Sequence, residues 1–350
     1  MLLQGDPFET IAVPPPALPA ADAEALVLER YGIDARAKPL VSERDQNFLL
    51  TGSDGRRAVL KIANAAEDRL ATEFQIDALL HVEATDATVP VPRVLRTLDG
   101  DTAFDLRIDK ARHRVRVVSW LDGAPLARQT PGSALAFSLG ATLGRLNRAL
   151  ADFRHPGERQ PLLWDMSRAP ALKRLLPMIR DPGQRRLVER VLDEFSRQAL
   201  PRFASLQQQV IHNDANPDNL LVDENAERIT GIIDFGDMVR LPRVVELAVA
   251  AAYLRAGMHD PPGPIADLVR GYASTAEIDP VELDLLPLLV RARLATTIAI
   301  LEWRRSLRGA DDEYLVGTDE SESAAWPFLQ RLESLPDADM AAALRAVLAA

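Results

Sequence analysis

Cysteine is absent from all 350 residues. Disulfides, thiolate metal sites and cysteine nucleophiles are therefore excluded, and the cytoplasm is the expected setting. No basic segment followed by an apolar run stands at the N-terminus, so no secretory signal is expected. A membrane span is missing as well. The most apolar stretch, Leu285 to Leu301, is interrupted by Pro287, Arg291 and Arg293 and reads as a buried helix. Positive charge is in deficit, with 41 Lys and Arg against 51 Asp and Glu and a net charge of -10. That balance argues against a nucleic-acid partner, which needs a basic face, while leaving room for a local basic pocket around a nucleotide. No internal repeat is visible.

The residues that are present describe an ordinary well-packed chain, 47% hydrophobic and 26% charged, of a length suited to one bilobal unit or two modest domains. A helix is expected over Ala20 to Tyr31, stopped by Gly32. Strand-like runs Phe48 to Thr51 and Ala58 to Ile62 flank Gly52-Ser-Asp-Gly55, a hairpin signal. A helix near Arg69 to Val82 and strands around Thr102 to Ile108 and Val115 to Trp120 complete a small antiparallel sheet with one inserted helix. Beyond Asp122-Gly123 the pattern is mainly helical. Leu135, Leu139, Leu143, Leu146, Leu150 and Phe153 form one stripe, and Asp181-Pro182 opens another helix. Two brief strands, Asn219 to Val222 and Ile229 to Asp234, interrupt the helices. The expected class is α+β, with an N-terminal lobe over 1–120, a helical lobe over 121–350 and a cleft where chemistry is to be sought.

The chemistry is concentrated in Ile211-His-Asn-Asp-Ala-Asn-Pro-Asp-Asn-Leu-Leu-Val222 and Gly231-Ile-Ile-Asp-Phe-Gly-Asp237. Phosphoryl transfer needs a hydroxyl aligned, a metal held and phosphate charge offset. Asp214 follows an apolar run in a loop, where a carboxylate can orient a hydroxyl and accept its proton. Five residues on, the amide oxygen of Asn219 can coordinate Mg²⁺, and Asp234 can reach the same ion from the next strand end. A few hard oxygen ligands, completed by phosphates, suit Mg²⁺. Taken singly, each of these residues is also a common turn former. Jointly, His-x-Asp-x4-Asn followed closely by apolar-Asp-Phe-Gly matches kinase signatures in spacing and composition. His212 reads as a hydrogen-bonding brace for the Asp234 segment rather than as a catalyst.

Upstream, Lys61 in Val59-Leu-Lys-Ile62 is placed to reach the α- and β-phosphates, with Glu73 as its expected acidic partner on the following helix and Glu67 and Asp68 as competitors. The turn Ser42 to Phe48 occupies the place of a phosphate-covering loop. It lacks glycine, and Asn47 is its candidate for a positive φ. Backbone groups of Ser119 to Leu121 are expected to bind the base.

These motifs, with Ser42-Glu-Arg-Asp-Gln-Asn-Phe48, Val59-Leu-Lys-Ile-Ala-Asn64, Ile232-Ile-Asp-Phe-Gly-Asp-Met238, Phe153-Arg-His-Pro156 and Trp164-Asp165, resemble the aminoglycoside-phosphotransferase and choline-kinase superfamily. The hydroxylysine kinases are the branch most similar. The resemblance runs from about Ala37 through the helices after Arg240. It implies a protein-kinase-like bilobal fold, Asp214 as catalytic base, Asn219 and Asp234 on Mg²⁺, and Lys61 on the phosphates of ATP or GTP. Asn213 stands where the superfamily usually has glycine, which requires backbone near the left-handed region that Asn tolerates.

The narrower resemblance implies 5-hydroxylysine or another small hydroxylated amine as acceptor. Asp237 and Asp165 are candidate acids for such a cation, and Trp164 or Trp303 candidate cation–π faces. Ethanolamine, homoserine, sugar or aminoglycoside acceptors, and a nucleotide-binding pseudokinase, are the alternatives. A protein kinase is disfavoured, because no Ala-Pro-Glu segment follows Asp-Phe-Gly236.

Overall fold

The computed structural model describes residues 13–42, 44–128, 131–255, 260–308 and 324–349. They form two compact units. One runs to Asp122 and takes in His155–Pro161; the other holds Gly123–Arg154 and the chain from Leu162 onward.

In the first unit, helix α1 (Ala20–Tyr31) ends at Gly32, whose φ of 68° lets its N–H return to the Leu28 carbonyl. Its buried face, Ala23, Val27 and Tyr31, packs on Phe48, Leu50, Leu60, Ile62, Val115 and Val117. Those residues belong to a wholly antiparallel sheet. Its strands are β1 (Ala35–Leu40), β2 (Gln46–Gly52), β3 (Arg57–Ile62), β4 (Val94–Leu95), β5 (Phe104–Ile108) and β6 (Ala111–Ser119), in the order β1-β2-β3-β6-β4 with β5 also on β6. Because side chains alternate, the odd positions of β2 and β3 face away from α1. Asn47 pairs with Lys61, and Lys61 with Arg116, so the three form a row across β2, β3 and β6.

Helix α2 (Arg69–Thr85) is capped by the Asp68 carboxylate, which accepts from the Leu70 N–H. It reaches that same row through Gln75, whose Oε1 accepts from Arg116 Nη2 at 2.6 Å. The chain returns to α2 at His155, whose ring stacks on Phe74 with centroids 5.3 Å apart.

The second unit is largely helical: α3 (Ser133–Ala149), α4 (Pro182–Gln198), α5 (Val244–Ala251), α6 (Pro262–Ala273), α7 (Pro280–Arg308), α8 (Ala325–Glu333) and α9 (Asp337–Ala349). Strand β7 (Ala124–Pro125) joins β9 (Leu220–Val222) and β10 (Ile229–Ile232) in one small sheet, while β8 (Gln208–Ile211) pairs with β11 (Val239–Pro242). The expected buried helix over Leu285 to Leu301 is the middle of α7. Its arginines are accommodated by specific partners. Arg291 binds Glu194 of α4 at 3.0 Å, Glu333 of α8 at 2.6 Å and Asp337 of α9 at 2.6 Å. Among the described residues, no helix is long and apolar enough to cross a membrane.

Helices α3 and α6 meet through glycine. A Cβ on Gly140 would lie 1.9 Å from the Leu268 carbonyl oxygen, and one on Gly271 would lie 1.9 Å from the Phe137 carbonyl oxygen. Both obstacles are backbone, so neither can swing aside. Gly140→Ala is expected to lower stability by about 3 kcal/mol, the upper part of the overpacking range. Gly132→Ala, with nothing within 4 Å of the added carbon, should cost far less. Urea unfolding midpoints at constant slope check the difference; equal midpoints would contradict the close approach.

Candidate active site

The loop between β8 and β9 is built around one buried carboxylate. Glu246 on α5 is fully buried and accepts from the backbone N–H of His212 at 2.7 Å and of Asn213 at 3.1 Å. With both amides directed at Glu246, the chain turns through a left-handed residue at Asn213, φ 64°. The expected left-handed backbone is therefore present, and asparagine tolerates it. Its side chain adds to the turn, with Nδ2 donating to the Asp237 carbonyl at 3.1 Å and to the Trp164 carbonyl at 3.5 Å. Burial pushes the Glu246 carboxyl above the usual carboxylate range, and the nearby Asp214 charge pushes the same way. His212 and the two donated N–H groups oppose them.

His212 braces the second segment, as its position suggests. Its Nδ1 accepts from the Asp214 N–H at 3.3 Å, which assigns the ring proton to Nε2, and Nε2 meets the Ile233 carbonyl at 3.1 Å. Phe235 lies edge-on to the imidazole, centroids 4.8 Å apart. The Ile233 N–H in turn donates to the Asn219 carbonyl at 2.9 Å. Asp214, Asn219 and the segment leading into Asp234 are thus joined through His212 and Ile233.

Asp214 is held from two amides. Asn216 Nδ2 lies 3.0 Å from each carboxylate oxygen, and Asn219 Nδ2 donates to Oδ2 at 2.6 Å and to the Asp214 carbonyl at 3.1 Å. The short contact to a carboxylate identifies that atom of Asn219 as nitrogen. Its amide oxygen is therefore turned away from Asp214, and among the described residues no hydrogen bond engages it. Asp234 is exposed and also left-handed, φ 60°, with Oδ1 accepting from the Gly236 N–H at 3.1 Å. An asparagine oxygen and an exposed carboxylate on joined segments fit a hard divalent cation that draws its remaining ligands from phosphate and water. Among the described residues no group of three or more His, Asp or Glu is arranged to hold a metal.

Several expectations need correction. Glu73 is not the partner of Lys61, because it binds Arg69 one helical turn earlier, Oε1 to Nε 2.6 Å. Among the described residues Lys61 forms no ion pair. The acid toward this row is Glu67, which accepts from Thr72 Oγ1 at 2.5 Å. Burial and then Asp45 raise its carboxyl above the ordinary range, while Arg116 opposes them. Asn47 does not sit in a turn with positive φ; it lies in β2 between Leu40 and Lys61. Ser119 cannot offer its N–H to a base, since that group already donates to the Arg93 carbonyl at 2.8 Å. Among the described residues the backbone of Leu121 has no such engagement.

The expected acceptor residues divide in the same way. Asp165 is a cap, accepting from the Ser167 N–H at 2.8 Å and Oγ at 2.6 Å at the head of the 3-10 stretch Met166–Met178. The Trp164 ring is already covered by Arg293, 4.6 Å from the centroid, and approached by Arg304 at 5.8 Å. Trp303 is buried. Asp237 keeps a partly exposed side chain beside the loop that its carbonyl helps to fold. Sequence reading missed Glu246, Asn216 and Arg293. Two of these had a usable signal: Glu246 is the only charge in Val244-Val-Glu-Leu-Ala-Val-Ala-Ala251, and Arg293 lies in the apolar stretch of α7. An isolated charge in such a run needs a buried partner. Glu246→Ala would orphan two buried N–H groups, and about 1–3 kcal/mol per group is expected to be lost. Thermal or urea unfolding measures this, and a change below about 1 kcal/mol would show that the loop amides are satisfied elsewhere.

Known proteins resemble this chain over most of its length. Mouse hydroxylysine kinase (Mus musculus) is 27% identical over 353 residues, covering 94% of this chain and 93% of that protein. The Bos taurus hydroxylysine kinase is 24% identical, with 94% and 93% covered. Among solved structures, an amicoumacin kinase in complex with AMP-PNP and Ca²⁺ superposes with a TM-score of 0.68 at 15% identity, covering 91% of this chain and 95% of that one. A microcompartment-associated aminopropanol kinase does so at 0.63 and 19%, covering 90% and 97%. The fold is thus α+β and protein-kinase-like, with an antiparallel sheet in the first unit and helices dominating the second. Residues 36–286 match the model of the phosphotransferase enzyme family known as APH, and the chain belongs to that family.

Proposed function

We propose that this phosphotransferase moves the γ-phosphoryl group of a Mg²⁺-bound nucleoside triphosphate, ATP or GTP, onto the hydroxyl of a small amine or amino acid, with 5-hydroxylysine as the leading acceptor. The observation that carries the reading is the Asp214–Asn219 pair. One carboxylate is steadied by amide donors, and the asparagine that steadies it has its oxygen left for a cation. Similarity to hydroxylysine kinases over nearly the whole chain supports the choice of acceptor.

In this mechanism Asp214 orients the acceptor hydroxyl and takes its proton as the hydroxyl oxygen bonds to the γ-phosphorus. The bond from that phosphorus to the β–γ bridging oxygen breaks, leaving a phosphate ester and a nucleoside diphosphate. Asn219 and Asp234 would hold Mg²⁺, which offsets phosphate charge when bound. Lys61, without an ion-pair partner among the described residues, is the proposed phosphate contact, and Leu121 the backbone contact for the base. Asp237 is the remaining acidic candidate for an acceptor ammonium.

Nucleotide consumption across hydroxylysine, ethanolamine, homoserine, sugars and aminoglycosides, with ATP and GTP in parallel, tests the substrate assignment. Turnover is expected to be highest with hydroxylysine; no turnover with any hydroxylated amine would sink it. Asp214→Ala should lower kcat by roughly 10²–10⁴-fold, the usual worth of a general base, with nucleotide affinity retained. Unchanged turnover in that variant would remove Asp214 from the reaction.

A further inference from the structure

A fixed cation stands behind the carboxylate of Asp214. Arg293 is 0% exposed, and its Nη2 lies 3.9 Å from Asp214 Oδ1. The contact is too long for a hydrogen bond, and Nε and Nη2 are buried without a hydrogen-bond partner. What holds the guanidinium is Trp164. The indole ring lies 4.6 Å from the guanidinium carbon, and the Trp164 carbonyl accepts from Nη1 at 3.3 Å. That carbonyl also receives Asn213 Nδ2 at 3.5 Å, so the support of Arg293 and the turn of the catalytic loop share one oxygen. A buried guanidinium short of hydrogen bonds is costly to a fold. Asn216 and Asn219 constrain Asp214 from their own loop, whereas Arg293 fixes it against a different element, α7.

We infer that Arg293, clamped on Trp164, is a positioning residue that sets the orientation of the Asp214 carboxylate for phosphoryl transfer. It is buried, so it acts through Asp214 and not by touching the acceptor. The inference rests on the reading of Asp214 as the group that receives the hydroxyl proton. Loss of the guanidinium should then impair the chemical step and leave nucleotide binding alone, since a misplaced reacting group lowers kcat.

Arg293→Met, Arg293→Lys and Arg293→Ala are to be assayed with whichever acceptor the wild-type chain phosphorylates. Arg293→Met is expected to lower kcat by roughly 10–100-fold with the KM for nucleotide within about twofold. Arg293→Lys, keeping charge but not the planar fork, should fall between the two. Millimolar guanidinium should restore part of the kcat of Arg293→Ala in a saturable way, and methylammonium should restore less. Wild-type kcat in Arg293→Met, or a parallel loss of nucleotide binding with no guanidinium rescue, would overturn the inference. If Arg293→Met does not fold, Arg293→Lys and the rescue decide it. If the wild-type chain phosphorylates nothing, the functional reading fails separately. Crystal structures of wild type and Arg293→Lys then decide the positioning role: a reoriented Asp214 carboxylate supports it, and an unmoved one overturns it.

Discussion

Two backbone N–H groups aimed at one buried carboxylate organise the loop between β8 and β9. Glu246 receives His212 and Asn213, and with both directions fixed the chain has little choice but a left-handed step at Asn213. From that step follow the Asn213 bonds to Trp164 and Asp237, and the placement of the His212 ring under Ile233. The loop residues that meet at Asp214 are local in sequence, but their arrangement is imposed by a helix more than thirty residues away.

The regular elements were legible where period and punctuation agree. Gly32 stops α1 at the expected residue, Gly52-Ser-Asp-Gly55 turns the β2–β3 hairpin, and the leucine stripe of α3 is buried along its length. Motif spacing likewise singles out Asp214, Asn219 and Asp234, whose segments are joined through His212 and Ile233, and the bracing position of His212 is foreseeable from its place before the loop. These features depend on near neighbours, which a sequence displays directly.

Pairings did not follow so easily. Glu73 lies at a plausible distance from Lys61 along the chain, yet Arg69 at i−4 is a nearer partner on the same helix face and takes the carboxylate. Asp165 precedes a helical turn, and capping uses the acid that the sequence alone offers as a substrate contact. Trp164 has an attractive π-face, but an arginine 129 residues further on occupies it. In each case another group of the protein engages the side chain or ring. Asn47 differs from expectation for a related reason: β2 begins at Gln46, inside the polar run that suggests a turn, so the ladder takes in Asn47.

The two arginines of α7 have a joint consequence. Positions 291 and 293 are separated by about 200° around a helix of 3.6 residues per turn, so their side chains leave on nearly opposite sides. One is tethered to acids of α4, α8 and α9, the other to Trp164. A rod pinned on both flanks resists rolling about its own axis. The angular setting of α7 thus depends on both flanks, and losing an acid of α8 or α9 would remove part of one of the two constraints on the helix that carries Arg293 beside Asp214.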